Sequence, residues 1–471
     1  MNKEFLHPYI PNASLHTKKQ MLKYLGLKDI EDLVSKIIPE DLRFKGKLNL
    51  PDPLISEIEL KRHINNVLSK NRSCEDLLCF LGGDIWQHYV PSICDEIGMR
   101  DEFLTAYTGS PAQAYTDYGR FQAQFEYQSL MAELLDMDVV TMPSWSWGNS
   151  AATALRMATR ITHRKKVLIA DSISPERFNV INQYLYPDVK ILKLKSDKRT
   201  GMIDLNYLKG MITNEIAAVY FENPSYYGFM ELKGKEISEI SHFNNSLLVV
   251  GVDPISLGYF RPPSQYGADI VVGTLQPLGL HMNFGGGVAG FLAAKNDPNF
   301  IQEIPYRVTG MVNTLEGNEF GFEELLYERT SFMVREKPEK SKEFFGTAAG
   351  LWAIIAGVYL SLMGPKGMYE IGETILKRTQ YAIDKLSEID GITVPKFNNI
   401  HFKNFIIDFS KIKLNINEIN QKLLKYGIIG GLDISDRFKN SALYSVTEIH
   451  SKEDIDFLEE TIKKIINENA R

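Results

Sequence analysis

The sequence predicts an α/β fold in three parts: an N-terminal helical arm (residues 1–75), a large domain built on a mostly parallel sheet (76–325), and a small C-terminal α/β domain with connecting helices (326–471). Three observations predict it. Strand-like runs alternate with helical stretches between residues 166 and 273, and runs that are apolar on both faces suit parallel strands covered by helices on each side. A shorter strand–helix alternation fills residues 402–466. The first part has no such alternation, only short helical stretches punctuated by prolines.

In the arm, His7-Pro8-Tyr9-Ile10-Pro11-Asn12 is extended, because each proline restrains the residue before it to β or polyproline geometry. Residues 17–25, closed by Gly26, and 29–38, closed by Pro39, fit two amphipathic helices. Leu48-Asn49-Leu50-Pro51-Asp52-Pro53 is a stiff connector, and a third helix spans 56–69 with Ser56 and Glu59 in capping-box spacing. Helices this short are marginal alone, so the arm is expected to lie on another surface, that of a partner included.

The large domain opens with aromatic and polar loops and a helix over 118–135. Trp147-Gly148-Asn149-Ser150 then precedes a helix of small residues over 151–159. Strands follow at 166–170, 189–194, 216–221, 247–252 and 269–273, with 288–294 joined antiparallel after a triple glycine. Residues 300–340 are charged and loop-like. Helices at 344–363, ending at Gly364-Pro365, and at 367–389 lead to a small domain of strand 402–408, helix 416–426, the turn Ile428-Ile429-Gly430-Gly431, strand 442–446 and helix 452–466.

Composition narrows the function classes. The 471 residues are 44% hydrophobic and 24% charged, as in ordinary globular proteins, with a length that calls for more than one domain. A net charge of −6 offers no basic excess to neutralise phosphates, which argues against nucleic acid as a partner. No uninterrupted apolar stretch reaches the roughly 18 residues of a spanning helix, so no membrane association is expected. Cys74, Cys79 and Cys94 fall in one N-terminal span without metal-ligand spacing or a disulfide framework. With no apolar run behind Met1-Asn2-Lys3-Glu4, the expectation is a cytoplasmic protein.

Three stretches carry candidate chemistry. Gly148-Asn149-Ser150 at a helix start suits an anion cradle, where backbone N–H groups and the helix dipole favour phosphate; the alternative is an ordinary helix cap. Asp253, at the end of a buried strand, suits a carboxylate that holds a cationic ring nitrogen, or else a turn-forming Asp before Pro254. In pyridoxal-phosphate enzymes of the aspartate-aminotransferase-like fold, the loop after the next strand carries the lysine that forms the imine. No lysine occurs between Lys235 and Lys295, and Gln276-Pro277 stand in that loop. Gly285-Gly286-Gly287 permits close backbone approach, to a ligand or simply between strands. His88 and His281 are the remaining acid–base candidates.

Ordered motifs extend along the whole chain: Leu48-Asn49-Leu50-Pro51, His88-Tyr89-Val90-Pro91, Thr105-Ala106-Tyr107-Thr108, Phe125-Glu126-Tyr127-Gln128, Asp253-Pro254-Ile255-Ser256-Leu257-Gly258, Gln276-Pro277-Leu278-Gly279, Arg335-Glu336-Lys337 and Leu362-Met363-Gly364-Pro365. In these the chain resembles the N-terminal, or α, subunit of the two-subunit glycine dehydrogenase (decarboxylating), the P-protein of the glycine cleavage system. The resemblance implies a fold-type I, aspartate-aminotransferase-like structure and a β-subunit partner that supplies the pyridoxal-phosphate lysine. It also implies glycine as substrate and aminomethyl transfer to the lipoyl group of an H-protein. Gly148, Asn149, Ser150, Asp253 and Gln276 would then line a vestigial cofactor pocket, with Pro277 at the lysine position, and no residue of this chain would be catalytic.

Three segments depart from the family pattern: Gly109-Ser110-Pro111-Ala112-Gln113, Ser144-Trp145-Ser146-Trp147-Gly148-Asn149-Ser150, and Pro338-Glu339-Lys340-Ser341. They keep two alternatives open. One is a diverged noncatalytic interaction or regulatory paralogue; the other is a self-sufficient pyridoxal-phosphate enzyme that draws its lysine from elsewhere in the chain.

Overall fold

The five central apolar runs form parallel strands because neither of their faces can be left in water. In the computed structural model, which describes residues 9–46, 48–104, 119–286, 288–325, 342–343 and 349–469, the chain divides into two units, 1–71 and 72–471. The larger begins with a two-residue strand, β1 (Leu78–Cys79), followed by β2 (Val139–Val140), β3 (Lys166–Ala170), β4 (Lys190–Leu194), β5 (Ile216–Glu222), β6 (Leu247–Val252), β7 (Ile270–Thr274) and β8 (Gly290–Ala294). Seven of these make one sheet in the order β2-β8-β7-β6-β5-β3-β4. The run from β4 to β7 is parallel, and β8 closes antiparallel on β7, as the triple glycine before it suggested.

Alternation along each strand feeds two separate cores. Leu168, Val219, Val250 and Val271 point to one face, whereas Val167, Ala218, Val249 and Ile270 point to the other. On the second face lies the helix Trp147–Thr162, whose buried Ala151, Ala152, Ala154 and Ala158 let it approach the sheet closely. It starts at Trp147 and not at 151, because Ser146 is its N-cap, with its hydroxyl accepting from the Asn149 N–H. The first face is covered by Gly119–Leu135 and by the long helix Gly350–Ser387. Gly364, at φ 57° and followed by Pro365, kinks that helix where two predicted helices meet. It is long and apolar enough to cross a membrane, but Ala353, Ile355, Ala356 and Tyr359 are buried in the core.

The reading of 300–340 as loop needs correction. An antiparallel hairpin of β9 (Val308–Asn313) and β10 (Phe320–Leu325) stands there, its Phe322 ring 5.4 Å from that of Phe125. Two glutamates and two glycines in its strands hid its alternation. Arg335-Glu336-Lys337, Thr105-Ala106-Tyr107-Thr108 and two of the departing segments, 109–113 and 338–341, lie outside the described residues.

The C-terminal strands are β11 (Asn404–Asp408), β12 (Ile428–Ile429), β13 (Leu432–Asp433) and β14 (Ser441–Ser445). Strands β11, β14 and β13 form an antiparallel sheet. Part of the predicted turn at 428–431 is β12, which pairs in parallel with β1 and so ties residues 78–79 to the small domain. Phe405, Ile407 and Tyr444 pack there with Leu423, Leu458 and Ile462.

The smaller unit holds helices Leu15–Tyr24, Ile30–Ile37 and Glu57–Leu68, none of which buries a side chain. Ser14 and Asp29 cap the first two. Ser56 is the N-cap of the third but makes no side-chain cap hydrogen bond, so the expected capping box is not formed.

Candidate functional site

Strand β6 delivers Asp253 at its C-terminal end, 2% exposed, where one carboxylate oxygen accepts from the Ile255 N–H (3.1 Å) as in an Asp-Pro turn. Its other oxygen meets the ammonium of Lys403. Lys403 comes from the small domain, immediately before β11, and is itself 1% exposed. No motif in the sequence singled it out.

Lys403 Nζ also lies 2.9 Å from His88 Nε2 and 4.1 Å from the centre of the Trp86 ring. Two N–H groups cannot face each other across that gap, so the ammonium donates to Nε2 and the imidazole keeps its proton on Nδ1. Nδ1 is 2.7 Å from Glu448, which also accepts from the Tyr89 N–H at 2.8 Å. Burial raises the Glu448 carboxyl, but the hydrogen bonds from His88 Nδ1 and the Tyr89 N–H outweigh it and hold it below its ordinary value. Burial presses the Lys403 ammonium below its ordinary value, with Asp253 and Glu448 opposing. The result is a buried line of alternating partners, Asp253, Lys403, His88 and Glu448, that joins the end of β6 to the entry of β11 and the segment after β14.

The loop after β7 is occupied in its own way. Gln276, 1% exposed, accepts from the Trp86 N–H (3.2 Å) and donates to the Trp86 carbonyl (2.9 Å). It thereby holds the Trp86 ring against Lys403, and the indole N–H donates to Asn404 Oδ1 at 2.9 Å. Pro277 is buried beside it.

At the third predicted place, Gly148, Asn149 and Ser150 form the first turn of their helix instead of preceding it. Side chains tie the turn to its surroundings. Ser146 caps it, Asn149 Nδ2 donates to Tyr184 (2.8 Å), and Ser150 exchanges a hydrogen bond with Ser144 (2.7 Å). A Cβ on Gly148 would come within 3.1 Å of Val180, so the turn is also covered by protein. Trp147 turns towards Asp253 and packs over Gly251, where a Cβ would lie 2.8 Å from its indole nitrogen.

Against Trp147 sits Arg177, its guanidinium 4.0 Å from the ring centre. It makes a two-pronged ion pair with Glu222 at the end of β5 (2.7 Å for each bond) and a third bond to Asp84 (2.6 Å). These two carboxylates keep the buried guanidinium charged, its proton affinity raised despite desolvation.

Trp86, Trp147, Arg177, Phe402 and Lys403 together leave a cavity of about 10 Å³ beside Asp253, room for about one water. Pyridoxal phosphate does not fit these residues. Its ring would need the space of Lys403, its phosphate a helix turn that is already capped, and its imine an amine where Gln276 is hydrogen-bonded. A lysine from elsewhere does enter this pocket, but it faces the carboxylate that a ring nitrogen would need.

Of the two histidines, His88 belongs to this cluster; His281 stands apart, exposed and 2.9 Å from Asp95. Asn283, Phe284 and Gly285 next to it have left-handed φ values of 47°, 54° and 82°, and Phe284 is fully exposed. No cluster of three metal-ligating side chains is found among the described residues.

Residues 7–462 match the family model for the glycine cleavage system P-protein. A probable glycine dehydrogenase (decarboxylating) subunit 1 from Staphylothermus marinus is 40% identical over 476 residues, covering 99% of each chain. Among solved structures, a glycine decarboxylase (P-protein) of the glycine cleavage system, in inhibitor-bound form, superposes with a TM-score of 0.82 at 30% identity, covering 98% of this chain and all of that one. A sphingosine-1-phosphate lyase from Burkholderia pseudomallei, at 13% identity and a TM-score of 0.64, covers 92% of this chain and 95% of its own, and shares the fold alone. Matched end to end in sequence and in structure, the chain belongs to the glycine cleavage system P-protein family.

Proposed function

We propose that this chain is the cofactor-free α subunit of a two-subunit glycine decarboxylase, and that a β subunit of the same fold carries pyridoxal phosphate. The observation that carries this reading is Asp253 held by Lys403 while Gln276 fills the place of an imine-forming amine. A chain whose three cofactor contacts are each satisfied internally has no capacity for the cofactor and is kept for what it supports next door. Pyridoxal phosphate, on the partner, supplies the electron sink for decarboxylation of glycine, and the aminomethyl group passes to a lipoylated H-protein.

This chain contributes a rigid body and a surface. The helices of residues 1–71 bury no side chain, and Ile58, Leu60 and Ile64 are exposed, which supports their covering a partner. Gly148, Asn149, Ser150, Asp253 and Gln276 then hold the fold together and no longer bind a ligand. Within the unit 72–471 we propose a large domain to about residue 325 and a small C-terminal domain beyond it. The free thiols of Cys74, Cys79 and Cys94 suit a cytoplasmic, reducing setting.

Borohydride reduction of the copurified complex, followed by peptide mapping, tests where the cofactor sits. A pyridoxyl-lysine on the partner alone is expected. One on Lys403 or any other lysine of this chain would overturn the assignment in favour of a self-sufficient enzyme.

A further inference from the structure

We infer that Lys403 is a built-in cation that occupies, on Asp253, the place a charged ring nitrogen would take, and that the line from Asp253 to Glu448 fastens the two domains over it. The inference rests on this chain's own contacts and not on the assignment of a partner, so the two fail separately.

A buried ammonium is tolerated only when its charge and its three N–H donors are all met. Around Lys403 they are: Asp253 supplies the counter-charge, His88 Nε2 an acceptor, and the Trp86 face the remaining side. These partners come from two separate segments, the end of β6 and the loop at residues 86–88, and meet a lysine at the entry to β11. Such convergence does not arise from a lysine that has merely folded inwards.

The backbone is fitted to the task as well. Lys403 has φ 65°, a conformation that disfavours a side-chain-bearing residue and persists only where neighbours impose it. The neighbours are identifiable: the Phe402 N–H donates to Gly228 O (2.8 Å) and the Val446 N–H to Lys403 O (3.0 Å). The first bond ties the segment to the turn at 226–229, and the second ties it to the end of β14, so the residue is held from both sides.

Tethering makes this occupant hard to displace. A side chain already in place has an effective concentration far above that of any free ligand, so a planar cation from solution competes poorly for Asp253. The β7 loop offers no lysine to bond a cofactor, and the lysine at the entry to β11 fills the space and neutralises the acid at the end of β6.

Chemical rescue tests the inference on the full-length chain. Lys403→Ala removes three methylenes and the ammonium, which n-propylammonium reproduces in one molecule. The variant is expected to melt several degrees below the unmodified protein, and n-propylammonium is expected to restore it in a saturable manner while leaving the unmodified protein unchanged. n-Propanol, which fills space without charge, is expected to restore much less.

If Lys403→Ala does not fold, Lys403→Met and the double variant Asp253→Asn/Lys403→Met replace it, and the double variant is expected to melt above the single one. A Lys403→Ala protein as stable as the original, equal action of the amine on both proteins, or a double variant no better than Lys403→Met would each overturn the inference.

Discussion

Charge burial sets the energetic stakes at single residues. Removing one member of a buried ion pair leaves the other without compensation and costs about 3–5 kcal/mol. Lys403→Met is therefore expected to lower the free energy of unfolding by that amount, measured by denaturant titration near neutral pH. Arg177→Met would strand Glu222 and Asp84 together and is expected to cost at least as much.

A second residue makes stability depend on pH. His401 donates through Nδ1 to the Asn399 carbonyl (3.0 Å), while its Nε2 is buried without a partner. Burial pushes the ring from 6.5 down to about 4. The folded protein keeps it neutral, whereas the unfolded chain protonates it below 6.5, so its contribution is present above pH 6.5 and is lost as pH falls towards 4. By linkage the loss amounts to roughly 3 kcal/mol. Glu448, held below its ordinary value by its hydrogen bonds, adds a further loss as pH falls below 4.5. Unfolding free energies measured at steps of pH are expected to fall across the upper window, and His401→Gln is expected to flatten that fall; an unchanged slope would contradict the assignment.

Asp253 and Gln276 could be picked out from the sequence because each follows a recognisable strand. Lys403 could not. In Ile400-His401-Phe402-Lys403-Asn404-Phe405 a lone lysine reads as a solvent-facing strand residue, and its acid lies 150 positions away.

Elements place these residues by meeting at points with no spare room. The turn at 226–229 crosses the entry to β11, and Gly228, at φ 88°, is the crossing point: a Cβ there would lie 1.6 Å from the Asn404 carbonyl oxygen. Gly228→Ala is expected to push Lys403 and Asn404 out of register and to cost roughly 3 kcal/mol or more. Gly317→Ala, with a similar φ of 76° but open space around it, is expected to cost about 1 kcal/mol. Melting temperatures of the two variants separate the effect of crowding from that of φ alone.

At this scale the sequence was informative wherever burial was two-sided. Every residue of β5, β7 and β8 is buried, and all three runs were visible as apolar stretches. The hairpin of β9 and β10 was not visible, because its strands carry Gly310, Gly321, Glu323 and Glu324 and only part of each packs inwards. The start of the helix at Trp147 was misplaced for a related reason. Glycine, asparagine and serine suggest a helix boundary, but here Ser146 does the capping and the next three residues are inside.

For the whole molecule, the structure and the family together describe a chain that keeps the architecture of a pyridoxal-phosphate enzyme, with Lys403 paired to Asp253 and Gln276 hydrogen-bonded to Trp86. Gln276→Lys is accordingly expected to yield no borohydride-fixed pyridoxyl adduct, since the ring and phosphate places stay filled by Lys403, Trp147 and the capped helix. On the proposed function, activity comes from assembly with the partner. Glycine–bicarbonate exchange, measured with this chain alone, with the β subunit alone, and with both together, tests that most directly. The account predicts no exchange from this chain, little from the β subunit, and full exchange from the pair; full exchange from the β subunit alone would contradict it.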